Sequence, residues 1–224
     1  MREVFHDELR SLAEQLTQMS GLVSAAMANA TQALLEGDLA LAESVISADA
    51  QIDAQQRHLD DRAVALLARE SPVATDLRVV VSALRMSTSI ERMGDLARHV
   101  ASQARLRHPH PVVPDSLVPT ITAMGEAAAS IAMTAGTVIV TRDLELAAQV
   151  ERDDDRLDEL HRSVFAAMQA AEWQESAERT IDMTLCSRYY ERFGDHAVSV
   201  VRRVGFLVTG EWMKPVHPVQ SVAG

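Results

Sequence analysis

Apolar residues recur in steps of four and three along the first part of the chain, the spacing that places side chains on one face of an α-helix. This face comprises Phe5, Leu9, Leu12, Leu16, Met19, Val23, Ala26, Ala30 and Ala33. Gly37 is expected to end the helix, since glycine readily adopts the left-handed conformation that follows many helix C-termini. The pattern therefore predicts one long amphipathic helix from about Phe5 to Gly37.

Two more helices are predicted before a proline-rich segment. Asp38 can cap the second helix, because an aspartate oxygen accepts hydrogen bonds from the free N–H groups of a first turn. Apolar residues return every seven positions along it, at Val45, Ile52, Leu59 and Leu66. Ser71-Pro72 breaks the pattern, and Pro72 is suited to the first turn of a third helix that should reach about Arg107.

A joint between two halves is predicted in the stretch RHPHPVVPDSLVP, which holds four of the seven prolines. Proline lacks a backbone donor and has a fixed φ angle, so this stretch cannot continue a helix. We expect a linker over residues 108–115. His108 and His110 are interpreted as solvated linker residues rather than a metal-binding pair.

The order of helices repeats after the linker. We expect helices from about Ser116 to Val140, from Asp143 to about Ala171 and from about Ser176 to Leu207. Acidic positions repeat as well, because Asp154 lies 105 residues after Asp49 and Glu191 lies 100 residues after Glu91. The sequence thus predicts an all-α protein of two tandem three-helix bundles, residues 1–107 and 116–211, with a flexible tail over 212–224.

Composition and charge narrow the class of function. Aromatic residues make up only 4% of the chain, as suits a helical protein, and the formal net charge of −11 repels nucleic acid and anionic lipid surfaces. The N-terminal sequence lacks the apolar core of a signal peptide, and no uninterrupted apolar run of membrane-spanning length is apparent. We therefore expect a cytoplasmic protein that does not bind nucleic acid, with the lone Cys186 buried.

The words ERMGD at 91–95 and ERFGD at 191–195 place acids where apolar residues are expected. Each helical residue turns 100°, so Glu91 and Asp95 point within about 40° of each other, on the stripe that also carries Leu77 and Leu84. A charge buried alone costs several kcal/mol or more. These acids must therefore be protonated, paired with cations or bound to metal.

The preceding helix of each half supplies a second acidic pair at a spacing of one turn. The expected metal ligands are Asp49, Asp53, Glu91 and Asp95 in the first repeat, and Asp154, Asp158, Glu191 and Asp195 in the second. Oxygen-only donors favour hard cations such as iron, manganese, magnesium or calcium, whereas zinc would require more His or Cys. His161 continues the acidic face in the second repeat and can join that site, whereas its counterpart in the first repeat is Gln56.

An alternative interpretation needs no metal. Arginines at helical ion-pair spacing could neutralise the acids, namely Arg57, Arg92, Arg98 and Arg162. Arg188 lies one turn before Glu191 and could replace part of the metal charge or bind an anion. Gly94 and Gly194 indicate either a close contact between helices or room for an ion.

The segments SPVATDLRVVVSAL, ERMGDLARHVA and YYERFGDHAVSV resemble the PhoU family of bacterial phosphate-uptake regulators, and the resemblance extends to about residue 207. It implies two three-helix repeats with E(D)xxxD motifs that hold metal clusters, iron in some members. It also implies a role as repressor of phosphate-starvation signalling. The second repeat departs from the pattern, because it lacks a proline before its third helix and contains Arg188 and His161, so the metal assignment carries over less directly there.

The resemblance implies specific partners and no catalytic residues. These partners are the ATPase subunit of a phosphate ABC transporter and a membrane histidine kinase, with only peripheral association with the membrane and a homodimer as one possible assembly. Two other interpretations stay open at this point. One is a carboxylate-bridged di-metal enzyme of the ferritin-like kind, although neither ERxGD word has the Glu-x-x-His that this scaffold uses. The other is a metal-free helical adaptor.

Overall fold

The computed structural model describes residues 2–211, and the predicted tail over 212–224 lies outside the described residues. The all-α prediction is confirmed, since the described residues form six long helices and no strand. The helices are α1 (Arg2–Glu36), α2 (Leu39–Glu70), α3 (Ala74–Arg107), α4 (Val118–Thr141), α5 (Leu144–Gln169) and α6 (Ala177–Thr209), with a 3₁₀ turn at Asp115–Leu117 before α4.

Most helix ends follow the capping residues visible in the sequence. The Asp38 side chain accepts a hydrogen bond from the N–H of Leu41 at 3.0 Å, and Asp143 and Ser176 cap α5 and α6 in the same way. Gly37 has a φ of +68°, the left-handed conformation expected after α1. The prediction for Pro72 was wrong, because α3 begins at Ala74 with Val73 as its N-cap.

The two repeats pack side by side and share one core. Within each repeat the three helices contact one another, and α1 packs against α4 while α3 packs against α6. Four helices, α1, α3, α4 and α6, therefore form a central bundle in which α4 also contacts α6. The outer helices α2 and α5 flank it, α2 against α1 and α3, and α5 against α4 and α6.

Small residues allow α1 and α4 to approach closely. A Cβ atom on Gly125 would lie 2.4 Å from Cγ2 of Thr31, and one on Gly136 would lie 2.8 Å from Cβ of Ser20. The Ser24 hydroxyl donates a 2.7 Å hydrogen bond to the carbonyl of Ala129 across the same interface. A larger side chain at either glycine would push the repeats apart.

The linker is less solvated than the sequence indicated. His108 and His110 are exposed as predicted, and His108 Nδ1 lies 3.2 Å from the carbonyl oxygen of Gly37. Val112 and Val113 are instead buried, at 1% and 4% exposure. The linker therefore packs onto the core and does not act as a free hinge.

One helical segment, Asp115–Thr141, is apolar enough and long enough to cross a membrane, with a window of mean hydropathy 1.4. Half of that window is buried inside the fold. Its helix α4 contacts α1, α5 and α6, which accounts for its apolar composition as a core helix.

Candidate functional site

The eight predicted acids form two groups, each in the groove between an outer helix and a central helix. Cluster 1 comprises Asp49 and Asp53 of α2 with Glu91 and Asp95 of α3; cluster 2 comprises Asp154 and Asp158 of α5 with Glu191 and Asp195 of α6. Within each cluster, carboxylates from both helices interact electrostatically. The sequence prediction of two acidic groups, one per repeat, therefore matches the placement of these side chains.

The acids are less buried than the helical pattern suggested. Asp195 is exposed and the other seven are half-buried, and Leu77, placed on the same stripe from the sequence, is 40% exposed. The true core stripe of α3 is shifted and includes Met86, Ile90, Met93 and Ala97. The carboxylates consequently lie where the core meets solvent, within reach of a small ion.

The glycines of the repeated words permit close helix packing at each cluster. A Cβ atom on Gly194 would lie 2.1 Å from Asp154 Oδ1, a distance that no real contact shows. At Gly94 it would lie 3.0 Å from Ile52 Cδ1 and 3.4 Å from Asp49 Oδ1. A methyl group at Gly194 would therefore force the Asp154 carboxylate to turn away from α6, whereas one at Gly94 would need only a small shift of Ile52.

A bridging arginine neutralises much of cluster 1. Arg98 Nε lies 2.6 Å from Asp49 Oδ2, and its Nη2 donates to Asp95 Oδ1 at 2.6 Å. Arg92 adds a 2.9 Å hydrogen bond to Asp95 Oδ2. One guanidinium thus joins the acids of α2 to those of α3, in the place where a metal ion would bridge them.

These contacts decide the protonation preferences of cluster 1. Burial opposes the charge of Asp95, but hydrogen bonds and charges from Arg98 and Arg92 outweigh it and hold the pKa of Asp95 below its usual range. Burial raises the pKa of Asp49 and of Glu91, helped by neighbouring carboxylates and opposed by Arg98 and Arg92 respectively. Cluster 1 therefore combines a firmly ionised acid with two partly compensated ones.

Cluster 2 has no equivalent bridge. The position equivalent to Arg98 is occupied by Val198, which is 5% exposed. Arg188 pairs with Glu191 Oε1, but Asp154 Oδ1 and Glu191 Oε2 are buried atoms without a hydrogen-bond partner. Leaving a buried carboxylate oxygen without a partner costs free energy, so a bound cation or a proton would stabilise cluster 2.

The pKa of Asp154 shows the same lack of compensating positive charge. Burial, followed by the charges of Asp158 and Asp195, raises the pKa of Asp154 to about 7. Burial and Asp195 also raise the pKa of Asp158 and of Glu191. In the absence of a cation, the group therefore retains a proton that an isolated aspartate would lose well below neutral pH.

The histidines near the clusters take different positions. His161 packs edge-on against Phe165 with ring centroids 4.9 Å apart, its Nδ1 is buried without a partner, and burial lowers its pKa. His161 thus lies near Asp158 of cluster 2, and its role as a metal ligand stays a prediction. His99 lies beside cluster 1, where Asp95 and Asp49 interact with it electrostatically, and its ring packs at a tilt on Tyr189 with centroids 5.2 Å apart. Its Nδ1 is also buried without a partner, and burial lowers its pKa.

The fit of each cluster to a metal ion differs. Among the described residues, no three acidic, His or Cys side chains lie close enough together to hold an ion as they stand. The oxygen donors of cluster 2 nevertheless fit a hard cation, because two of its buried oxygens have no partner. Cluster 1 does not fit one in this conformation, since the Arg98 guanidinium occupies its bridging position.

Sequence reasoning missed two features. Arg98 was expected to pair along its own helix with Asp95, but its contact with Asp49 depends on how α2 packs against α3 and has no local signal. Glu151, which is 4% exposed, receives a 2.7 Å hydrogen bond from Arg202 one turn beyond cluster 2. The counterpart of Glu151 in the first repeat is Ile46, so the repeat comparison concealed this acid.

Comparisons with known proteins agree with this architecture. The family model for the PhoU domain matches twice, over residues 16–104 and 121–204. The phosphate-specific transport system accessory protein PhoU homolog 1 of Mycobacterium leprae is 45% identical over 212 residues, covering 95% of this chain and 96% of that protein. PhoU homolog 2 of Mycobacterium tuberculosis is 45% identical over 210 residues, covering 94% of this chain and 99% of that protein.

A solved structure shows the same arrangement of helices. The crystal structure of PhoU from Pseudomonas aeruginosa superposes with a TM-score of 0.81 at 29% identity, covering 92% of this chain and all of that one. Both repeats are matched by the family model, and the relatives align over nearly their whole length. The chain therefore belongs to the PhoU family.

Proposed function

We propose that this protein is a cytoplasmic, non-catalytic regulator of phosphate uptake that joins a phosphate ABC transporter to a sensor histidine kinase and represses phosphate-starvation signalling. The observation that carries the proposal is the match of both repeats to the PhoU domain, together with relatives named as accessory proteins of the phosphate-specific transport system. The expected partners are the ATPase subunit of the transporter and the kinase, and a second copy of the chain is a further candidate.

The carboxylate clusters are proposed to hold hard metal ions, with iron, manganese, magnesium and calcium as candidates and zinc as a less suited one. Asp154, Asp158, Glu191 and Asp195 would hold the ion of cluster 2. Asp49, Asp53, Glu91 and Asp95 would hold that of cluster 1 once the Arg98 guanidinium has left them. A bound cation supplies positive charge that compensates these acids and ties an outer helix to the central bundle. The chain itself contributes the oxygen donors and the glycine that brings the helices together.

The clusters lie on helices that contact each other. The central helices α3 and α6 pack together, and each carries one acidic pair. A change in the charge of either cluster would therefore act on one of these two helices, and charged groups at a protein surface are suited to recognition by a protein partner.

A metal-free adaptor is the second candidate, and Arg98 is the observation that favours it, because it neutralises cluster 1 without an ion. The ferritin-like enzyme has less support. Gly94 and Gly194 occupy the positions three residues after Glu91 and Glu191, where that scaffold would place histidine.

The proposal is tested in the host cell by deleting the gene and measuring phosphate uptake and a phosphate-starvation reporter. Loss of the protein should raise reporter output in phosphate-rich medium, and the wild-type gene should restore repression. Copurification of the tagged protein with the transporter ATPase and the kinase, in the wild type and in Glu91→Ala and Asp95→Ala variants, tests the adaptor role. Unchanged reporter output and capture of neither partner would contradict it.

A further inference from the structure

The two clusters have the same acids but differ in their cations. Arg98 has 34% of its side chain exposed and contacts the acids of both helices in cluster 1. In cluster 2, Arg188 is 53% exposed and pairs with Glu191 of its own helix, while Arg162 and Arg192 interact electrostatically with Asp158 and Glu191. Of the ion pairs described for the two clusters, the pairs of Arg98 are the ones that join two helices.

The equivalent position in the second repeat cannot supply that bridge. Val198 is the residue of the second repeat equivalent to Arg98, and it is buried in the apolar core. The next arginine on that face, Arg202, is 2.7 Å from Glu151, which is nearly fully buried. Since releasing Arg202 would leave that carboxylate buried and unpaired, it is held away from Asp154.

We propose that Arg98 serves as a built-in cation of cluster 1, so that the chain takes up hard divalent ions first at cluster 2 and at cluster 1 only after the guanidinium is displaced. This inference rests on the metal binding of the proposed function and concerns its order. An ion entering cluster 1 must replace two 2.6 Å contacts to Arg98, whereas one entering cluster 2 meets buried oxygens that have no partner.

A consequence for regulation follows from this order. Displaced from Asp49 and Asp95, the guanidinium of Arg98 would become available for another partner at the groove between α2 and α3. Filling cluster 1 would therefore change this groove both by adding an ion and by freeing a cation. Filling cluster 2 has no comparable second effect.

The experiment is a titration of the chelator-treated full chain with Mn²⁺ alone, followed by calorimetry and by electron paramagnetic resonance of the free ion. The wild type should show a tight phase that Asp154→Asn removes and Asp49→Asn leaves in place. Arg98→Val, which introduces the residue of the second repeat, should tighten the weak phase by about tenfold or more. Arg105→Val on the same helix removes an equal charge from an exposed site outside both clusters and should change neither phase.

The Mn²⁺ titration distinguishes a wrong order of binding from a failure of metal binding itself. Equal affinity at both clusters, or loss of the tight phase in Asp49→Asn but not Asp154→Asn, would overturn the order while leaving metal binding intact. If neither the wild type nor Arg98→Val binds Mn²⁺, the metal part of the proposed function fails too. Thermal unfolding of each variant shows that it folds, and the two Asn variants test the order independently of Arg98→Val.

Discussion

The Thr31 hydroxyl of α1 and the Tyr190 hydroxyl of α6 are 2.8 Å apart in the buried core between the repeats. Thr31 Oγ1 also donates to the carbonyl of Met27 at 2.8 Å, so Tyr190 acts as donor to Thr31. Tyr190 is fully buried, and burial raises its pKa, which keeps the hydroxyl protonated. This polar contact ties the first helix of one repeat to the last helix of the other.

Tyr190→Phe should lower the free energy of unfolding by about 1–2 kcal/mol, because Thr31 loses a buried hydrogen bond while its own donor stays satisfied. Urea unfolding followed by circular dichroism measures the change. The adjacent Tyr189→Phe is a matched control. It also removes a hydrogen bond, to Gln103, but at a half-buried position where water can replace the lost partner, so its effect should stay within about 0.5 kcal/mol. Equal effects of the two substitutions would show that the Thr31 contact contributes nothing specific.

Alanine substitutions at the two motif glycines should give opposite results. Gly194→Ala places a methyl group 2.1 Å from Asp154 Oδ1, so it should destabilise the protein by about 1–2 kcal/mol despite the better helix propensity of alanine. Gly94→Ala meets the flexible end of Ile52 at 3.0 Å and should be nearly neutral. Thermal unfolding of both variants, with metal removed, checks the difference. A neutral Gly194→Ala would show that the Asp154 carboxylate turns away from α6 at little cost in free energy.

Helical periodicity and repeated motifs were sufficient to predict much of this fold. The helix ends at Gly37, Asp38 and Asp143 depend on local hydrogen bonds, and local sequence encodes them. The pairing of repeats through α1 with α4 was not predicted, because it depends on small residues such as Gly125 meeting Thr31, which are far apart in sequence.

The candidate site was also predicted only in part, because some of its features follow from local sequence and others from contacts between distant residues. Acids repeated at fixed offsets identified both clusters, since their positions follow the helical period. The contact between Arg98 and Asp49 and the burial of Glu151 depend on how helices pack, and a single helix contains no signal for either. Arg188 and His161 made the metal assignment carry over less directly to the second repeat, and that prediction stays untested. The packing of α5 against α6 adds what the sequence did not show, namely the unpartnered oxygens of Asp154 and Glu191.

Asp154→Asn should stabilise the metal-free protein at pH 8. The pKa of Asp154 is raised from 3.8 to about 7, so the folded state holds a proton that the unfolded chain has released. The associated stability is fully present below about pH 4 and is lost as pH rises through about 7. At pH 8 the wild-type carboxylate is therefore charged at a cost that asparagine avoids, on the order of 2 kcal/mol.

Urea unfolding with a chelator at pH 5 and pH 8 measures this difference, which should be clearly smaller at pH 5, where Asp154 in the folded state still holds its proton. Asp49→Asn is the matched control, because Arg98 already offsets much of the charge there and would lose a partner. It should show no gain in stability at pH 8. A pH-independent effect of Asp154→Asn would contradict the assignment of the raised pKa to this group.

Removing only one partner of the Arg202–Glu151 ion pair should destabilise the protein strongly, whereas replacing both with apolar residues should change its stability little. Arg202→Met leaves the carboxylate of Glu151, only 4% exposed, without its 2.7 Å partner, and should destabilise the protein by about 2–4 kcal/mol. Adding Glu151→Ile, the residue found at the equivalent Ile46, removes the buried charge and should restore most of the stability. A double-mutant cycle by urea unfolding gives the coupling energy. Additive effects of the two substitutions would show that the pair is not coupled, and that Arg202 remains available to cluster 2.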